Sequence, residues 1–528
     1  MRVQHKQQVR GEVTARVVAD VVQRGESHVV DVLGDTLYHE RQRLSRNRYA
    51  GEELDIPYWK AVARRVPQAS TSAQVDMLRD VVGRFVDEVM GHFDPRVYDI
   101  ATRVMPPGLA VLLNSLSPKQ ALKAPKGSLN LRENVIIAGE SEAARRLSRL
   151  GTVIVVPTHL SNLDSIVMGY AAYLMGLPPL LYGAGLNLFN NKLIGYFMSR
   201  LGAYRVDRRK KAALYKDILK QFATYSLEIG YHNLFFPGGT RIRSGGVERS
   251  LKKGLLGTGL AAYQNNLASG REKPNVYYLP CTISYGLVLE AQTLIEDHLK
   301  AAGRSRYIII DDEFSRPRKI AEFALELLRL KSRIYITFGQ PLDPFGNRVD
   351  FQGRSVDPRG RPIDIRGYIC RDGELVDDLQ RDREYTSELA RSIVHSYECD
   401  NRLQSTHLVA FTVFHMMERT YPTYDLYRLL RDAASLSSFT EAQVLVTLER
   451  VLERVRRMAE NRKIRLDPRL DGRDAKAVLD HGLKYFGSYH HQPAVAREGK
   501  RIVIHDAELT YYYRNRADGY DIEQVIGE

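Results

Sequence analysis

Cysteine and tryptophan are the scarcest side chains in this sequence: three Cys and one Trp in 528 residues. Cys281, Cys370 and Cys399 are odd in number and widely spaced, which argues against a disulfide framework and for a reducing compartment. His395 with Cys399, and His490 beside His491, lack the further ligands a metal needs, so no metal site is expected. Long apolar runs are also missing. Ile166 to Phe189 is interrupted by Gly, Pro and Asn, and Leu255 to Tyr263 is too short to span a bilayer. Met1 to Val30 carries charges throughout and has no apolar h-region, so no signal peptide is expected. No Gly-x-Ser-x-Gly occurs, which excludes a serine-hydrolase elbow. Gly254-x-x-Gly257-x-Gly259 lacks the spacing and the lysine of a phosphate loop and reads as a helix packed closely on a sheet. There is no internal repeat, no low-complexity tract and no interleaved aromatic–basic patch, so nucleic acid is not an expected partner.

Positive charge is in surplus. Lys and Arg number 77 against 63 acidic residues, a balance of +14 that suits an anionic partner such as a bilayer surface. Apolar content of 44% and charged content of 27% are ordinary for a globular protein, and the length predicts two or three domains.

Residues 1–130 read as a helical N-terminal region. Ser72 is the expected cap of a helix whose Leu78, Val81, Phe85 and Val89 recur at helical spacing, and Pro106-Pro107-Gly108 ends a helical section. Across 131–345 strands and helices alternate: Asn134 to Ala138, Ser141 to Leu150, Thr152 to Val156, Leu214 to Ile229, Asn233 to Phe236, Ile334 to Phe338. Such alternation predicts an α/β fold with a mostly parallel sheet flanked by helices. Residues 346–384, rich in Gly, Pro, Asp and Arg, read as a linker or β-hairpin insertion. Residues 385–528 read as a helical C-terminal domain, with Val444, Leu448, Val451, Val455 and Met458 as one core-facing stripe.

The most informative stretch is Thr158-His159-Leu160-Ser161-Asn162-Leu163-Asp164, directly after the apolar run Val153 to Val156. An imidazole supported by a carboxylate is a general base for a hydroxyl. Five residues along one helix would separate the two side chains by about 140°, so the pair makes sense with His159 in a turn and Asp164 in the first helical turn. Ser161 or Asn162 would cap that helix. Two basic clusters follow, each after a strand-like run. The first is Leu201-Gly202-Ala203-Tyr204-Arg205-Val206-Asp207-Arg208-Arg209-Lys210-Lys211, approached by Ile194 to Met198. In the second, Phe235-Phe236-Pro237-Gly238-Gly239-Thr240-Arg241-Ile242-Arg243, two arginines at i and i+2 in extended backbone point the same way and fit one phosphate. Val276 to Tyr285 reads as a buried strand.

In this order, the four segments resemble the four motifs of the glycerol-phosphate and lysophospholipid acyltransferase family. His159 and Asp164 match its His-x4-Asp pair; Gly202 and Arg208 its second motif; Phe236, Pro237, Gly239, Thr240 and Arg241 its third; Leu279 and Pro280 its fourth. Tyr182-Gly183-Ala184-Gly185-Leu186-Asn187-Leu188, Ser284 to Glu290 and Tyr511-Tyr512-Tyr513-Arg514-Asn515-Arg516 are similar to stretches of the glycerol-3-phosphate acyltransferase branch. The resemblance is strong over 150–345 and patchy out to 516. One position departs from it: the family usually carries a glutamate, held to bind or orient the polar substrate, where this chain has Gly238. The missing side chain is expected to leave room for a bulkier acceptor.

The resemblance implies transfer of a fatty acyl group from an acyl thioester (acyl-CoA or acyl carrier protein) to glycerol-3-phosphate, the first step of phospholipid synthesis, with no cofactor. His159 would be the general base and Asp164 its support. Arg208, Arg241 and Arg243 would hold the phosphate, with Arg205 and Lys210 as further candidates, and amides of Gly238, Gly239 and Thr240 would meet the oxyanion. Lysophosphatidate or dihydroxyacetone phosphate is the alternative acceptor, and an inactive, basic membrane-binding homologue is the alternative of another class. The expected place is the cytoplasmic face of an anionic membrane, held peripherally; nothing in the sequence bears on oligomeric state.

Overall fold

The computed structural model describes residues 3–46, 52–91, 94, 97, 134–185, 200–302, 333–436, 438–490 and 492–526. Pro106 to Gly108, Leu186 to Leu188, Ile194 to Met198 and His491 lie outside them.

The centre is a seven-stranded sheet of β1 (Val135–Gly139), β2 (Thr152–Pro157), β3 (Leu181–Gly185), β4 (Ala203–Val206), β5 (Asn233–Leu234), β6 (Val276–Ser284) and β7 (Ile334–Phe338), in the order β1-β7-β6-β2-β5-β3-β4. The strands from β6 to β4 run parallel, and β7 pairs antiparallel to β6 and parallel to β1. Every residue of β2 and β6 is buried, as the Val/Ile and aromatic runs require when both faces of a parallel sheet are covered. One consequence positions everything that follows. The parallel strands β2, β4, β5 and β6 all end at the same edge, so the segments after them emerge together at the carboxyl ends of the strands.

Helices cover the sheet. Ser141–Leu150 (α5) follows β1, and the buried Asp164–Leu174 (α6) follows β2. Ala213–Glu228 (α7) and Lys253–Ala268 (α8) pack on one another. The α8 glycines do allow close packing: a Cβ on Gly259 would collide with the ring of Tyr278 on β6, whose hydroxyl accepts the Gly259 amide at 3.1 Å.

Helices α1 (Val3–Gln23), α2 (Glu26–Arg46), α3 (Asp55–Arg65) and α4 (Thr71–Val89) precede the sheet. Val9, Val13, Leu33, Leu78, Val81 and Phe85 join Tyr204, Tyr215, Ile218 and Phe222 in one core, so these helices sit on β4 and α7. The cap of α4 is Ser70, whose Oγ accepts the Ala73 amide, not the expected Ser72, which lies inside the helix.

Beyond β7, residues 348–375 hold two short antiparallel hairpins. The rest is mainly helical, built round the buried α11 (Ser405–Thr420), after α10 (Leu379–Cys399). Glu441–Glu460 (α12) presents the predicted stripe of Val444, Leu448, Val451, Val455 and Met458 to the core and starts in a Thr440/Gln443 capping box. Ala507–Arg514 (α13) packs on α11, and a three-stranded sheet, not legible in the sequence, lies beside these helices. No helix among the described residues is long and apolar enough to cross a membrane.

Candidate active site

His159 lies in the turn between β2 and α6, as the spacing requires. Its Nδ1 is 2.9 Å from Asp164 Oδ2. Asp164 is fully buried and saturated: Oδ2 also accepts the amides of Leu160 (2.6 Å) and Ser161 (2.9 Å), and Oδ1 accepts the Tyr285 hydroxyl (2.6 Å). The carboxylate therefore folds the loop back on its own helix N-terminus, where a negative charge is also favoured by the helix dipole. With Nδ1 donating to Asp164, Nε2 carries the lone pair, and it has no hydrogen-bond partner among the described residues. The imidazole stacks on Phe236 with ring centroids 4.1 Å apart. Burial pulls its pKa below the ordinary 6.5; Asp164 pulls upward, and the charges of Arg241 and Arg208 push down again. The result is a neutral base held in one tautomer.

Helix α6 begins at Asp164, with Leu163 rather than Ser161 or Asn162 at its N-cap. Ser161 is not a simple cap: its Oγ accepts the Leu163 amide but donates to Glu290 Oε2 at 2.7 Å. Glu290, fully buried, also accepts the Asn162 amide (3.0 Å) and Arg241 Nη1 (3.3 Å). It thus connects the His159 loop to the arginine loop, a role that reading residue by residue did not assign. The available signal was an acid closing the otherwise apolar run Tyr285 to Leu289.

After β5 the chain turns through Phe236–Gly239, with Gly239 N donating to Phe236 O at 3.0 Å and Gly239 at φ +77°, which favours glycine. That hydrogen bond removes the Gly239 amide from the expected oxyanion donors, while the amides of Gly238 and Thr240 have no partner among the described residues. Ile242 N then donates to the His159 carbonyl at 2.7 Å, which brings Arg241 and Arg243 to either side of a residue bonded to His159. Arg241 turns to Glu290; Arg243 has no ion-pair partner among the described residues, and its charge acts on His298 of Ala291–Ala302 (α9).

The space beside Gly238 is not open. A Cβ there would collide with the carboxylate of Glu248, because the chain returns on the turn and Lys252 N donates to Pro237 O at 2.8 Å. The expectation of extra room at this position is therefore corrected: a side chain from ten residues on fills it, and burial raises that carboxyl's pKa. Gly238→Glu has to push aside the Glu248 carboxylate, the mobile end of a long side chain, and sets two carboxyl groups side by side, so a small fall in Tm is expected. Adding Glu248→Ala should recover most of the loss in a thermal melt. A silent single variant would show that the crowding is not real.

The first basic cluster divides. Arg208 has no ion-pair or hydrogen-bond partner among the described residues, and desolvation followed by the charge of Arg241 lowers its pKa, so the two guanidinium groups are within electrostatic reach. Arg205 points outward from β4 and is exposed. Lys210 is withdrawn from the candidate phosphate ligands: its buried ammonium lies 2.7 Å from Glu88 and 3.4 Å from Glu40, over the ring of Phe85.

The C-terminal residues close the far side. Buried Arg516 donates to Gly246 O and Ile283 O, each at 3.1 Å, and Asn515 Nδ2 donates to Ser244 O at 2.9 Å. Tyr513 hydroxyl accepts the Val288 amide at 3.1 Å. The loop that follows Arg243 and the end of β6 are thereby fixed by residues almost at the end of the described chain.

Residues 139–284, the stretch that carries the dyad and both arginine loops, match the family described as Acyltransferase. Over these residues the chain is similar to an acyltransferase domain. Relatives named "Glycerol-3-phosphate acyltransferase" support that branch. The protein from Baumannia cicadellinicola is 29% identical over 205 residues, 38% of this chain and 23% of the relative. Those from Ectopseudomonas mendocina and Pseudomonas putida are each 28% identical, over 34% and 36% of this chain and 23% and 21% of theirs. The match thus spans about a quarter of the length of these relatives, and it is the acyltransferase domain, not the whole of either protein, that the likeness describes.

Proposed function

We propose that the protein transfers a fatty acyl group from an acyl thioester to a hydroxyl of glycerol-3-phosphate. The single observation that carries this reading is the His159–Asp164 pair, whose Nε2 has no partner among the described residues and whose imidazole lies within electrostatic reach of Arg208 and Arg241. His159 Nε2 takes the hydroxyl proton as the oxygen attacks the thioester carbonyl, and Asp164 stabilises the imidazolium. The tetrahedral oxyanion meets the amides of Gly238 and Thr240. Collapse breaks the C–S bond, and the imidazolium returns the proton to the leaving thiolate. No acyl-enzyme is needed, and the residues present call for no cofactor. Arg208, Arg241 and Arg243 bind the acceptor phosphate, and the dyad being intact favours an enzyme over an inactive homologue. The net charge of +14 fits peripheral attachment to the cytoplasmic face of an anionic membrane.

Thiol release from a long-chain acyl-CoA or acyl carrier protein, with glycerol-3-phosphate, lysophosphatidate and dihydroxyacetone phosphate as parallel acceptors, tests the reading. Glycerol-3-phosphate is expected to be used best. Arg208→Ala should raise its KM by about 10–100-fold, the worth of one charge-assisted hydrogen bond. Preference for the lysolipid would move the chain to the second acylation, and silence with all three would refute the reading.

A further inference from the structure

The loop after β4 reads Asp207-Arg208-Arg209-Lys210, and three of its four charges are tied down. Asp207 accepts the Arg209 amide at 2.9 Å and its Nη2 at 2.7 Å, and donates its own amide to the Tyr215 hydroxyl at 3.0 Å. Arg209 continues to Glu52 at 2.5 and 3.1 Å. Lys210 ends between Glu88 of α4 and Glu40 of α2. Arg43 of α2 completes the set by pairing with both Glu40 and Glu52 at 2.8 Å. Only Arg208, in the middle, lacks a partner among the described residues.

We propose that the N-terminal helices act as a clamp on this loop, with Arg209 and Lys210 as positioning residues that fix where the Arg208 guanidinium meets the acceptor's phosphate. This rests on the acceptor reading above. Glu40 and the Arg43 and Lys210 side chains are almost wholly buried. Taking such charges out of water is costly, and an apolar contact would hold two helices to a strand as well. What the ion pairs add is direction: they hold the loop on both sides of Arg208, which has no partner among the described residues. Preorganisation of that kind lowers the cost of binding a phosphate, and displacement by an ångström has large kinetic effects.

Glu52→Gln tests the clamp. Glu52 is partly solvated, Arg209 keeps Asp207, and buried Arg43 keeps Glu40 and Asp55, so the variant breaks the tie without stranding a buried charge. Expected are a KM for glycerol-3-phosphate about tenfold higher, kcat and the acyl-CoA KM within about twofold, and faster hydrogen exchange over residues 205–212. Lys210→Met should show the same split in whatever fraction folds. An active wild type whose acceptor KM is unmoved by Glu52→Gln overturns the clamp. So does an equal fall of activity toward both substrates, which is what a purely structural tie gives. A wild type silent with glycerol-3-phosphate would instead overturn the acceptor reading and remove the ground on which the clamp stands.

Discussion

His159→Ala should lower thiol release with glycerol-3-phosphate by about 10³-fold, inside the 10²–10⁴ range of general-base catalysis, while a cooperative thermal melt is retained. The side chain is partly exposed, and its removal strands no buried polar group except one lone pair of Asp164, which keeps three other donors. The pH profile gives a second readout. Only the neutral imidazole can take a proton, so kcat/KM falls as pH drops through the pKa of His159. Burial holds that pKa below 6.5, so the acid limb should lie below 6.5 and be absent in the alanine variant. An acid limb unchanged in the alanine variant, or residual activity within tenfold of wild type, would rule out His159 as the base.

Asp164→Asn is the next largest effect and separates charge from geometry. An asparagine can place its oxygen where Oδ2 stands and keep the amides of Leu160 and Ser161 and the proton of His159 Nδ1. Its NH₂ then faces the Tyr285 hydroxyl, which can turn and accept. The loop should therefore survive while the charge that stabilises the imidazolium is lost. kcat is expected to fall about 100-fold, the scale of a charge-assisted hydrogen bond, and the acid limb to move lower still because the group that raises the His159 pKa has gone. Asp164→Ala is different in kind: it leaves two buried amides unpaired at about 1–3 kcal/mol each, and the loss should appear in stability first. Equal activity of Asp164→Asn and wild type would reduce Asp164 to a loop staple.

Glu290 and Arg516 show why part of the site could not be read along the chain. Each acts through a contact more than a hundred residues distant: Glu290 to Ser161, Arg516 to Gly246 and Ile283. No local periodicity encodes such a pair. Lys210 shows the opposite failure. As one cation among five basic residues it looked like the rest, and only the arrival of Glu40 and Glu88 from helices over a hundred residues earlier turned it from a candidate ligand into a strut. Gly238 followed the same logic, since an absent side chain says nothing about which neighbour fills the space.

The sequence alone determined the alternating α/β layers, because apolar runs bounded by turns need no distant partner to be recognised. It also determined the His159–Asp164 dyad, whose five-residue spacing closes within one turn and one helix start. Tertiary structure decided which charges pair with one another. Parallel pairing of β2, β4, β5 and β6 brings the four segments to one edge, and long-range ion pairs then neutralise some cations there and leave Arg208 without a partner among the described residues. Burial depends on what the rest of the chain covers, and that is settled only when the chain has folded.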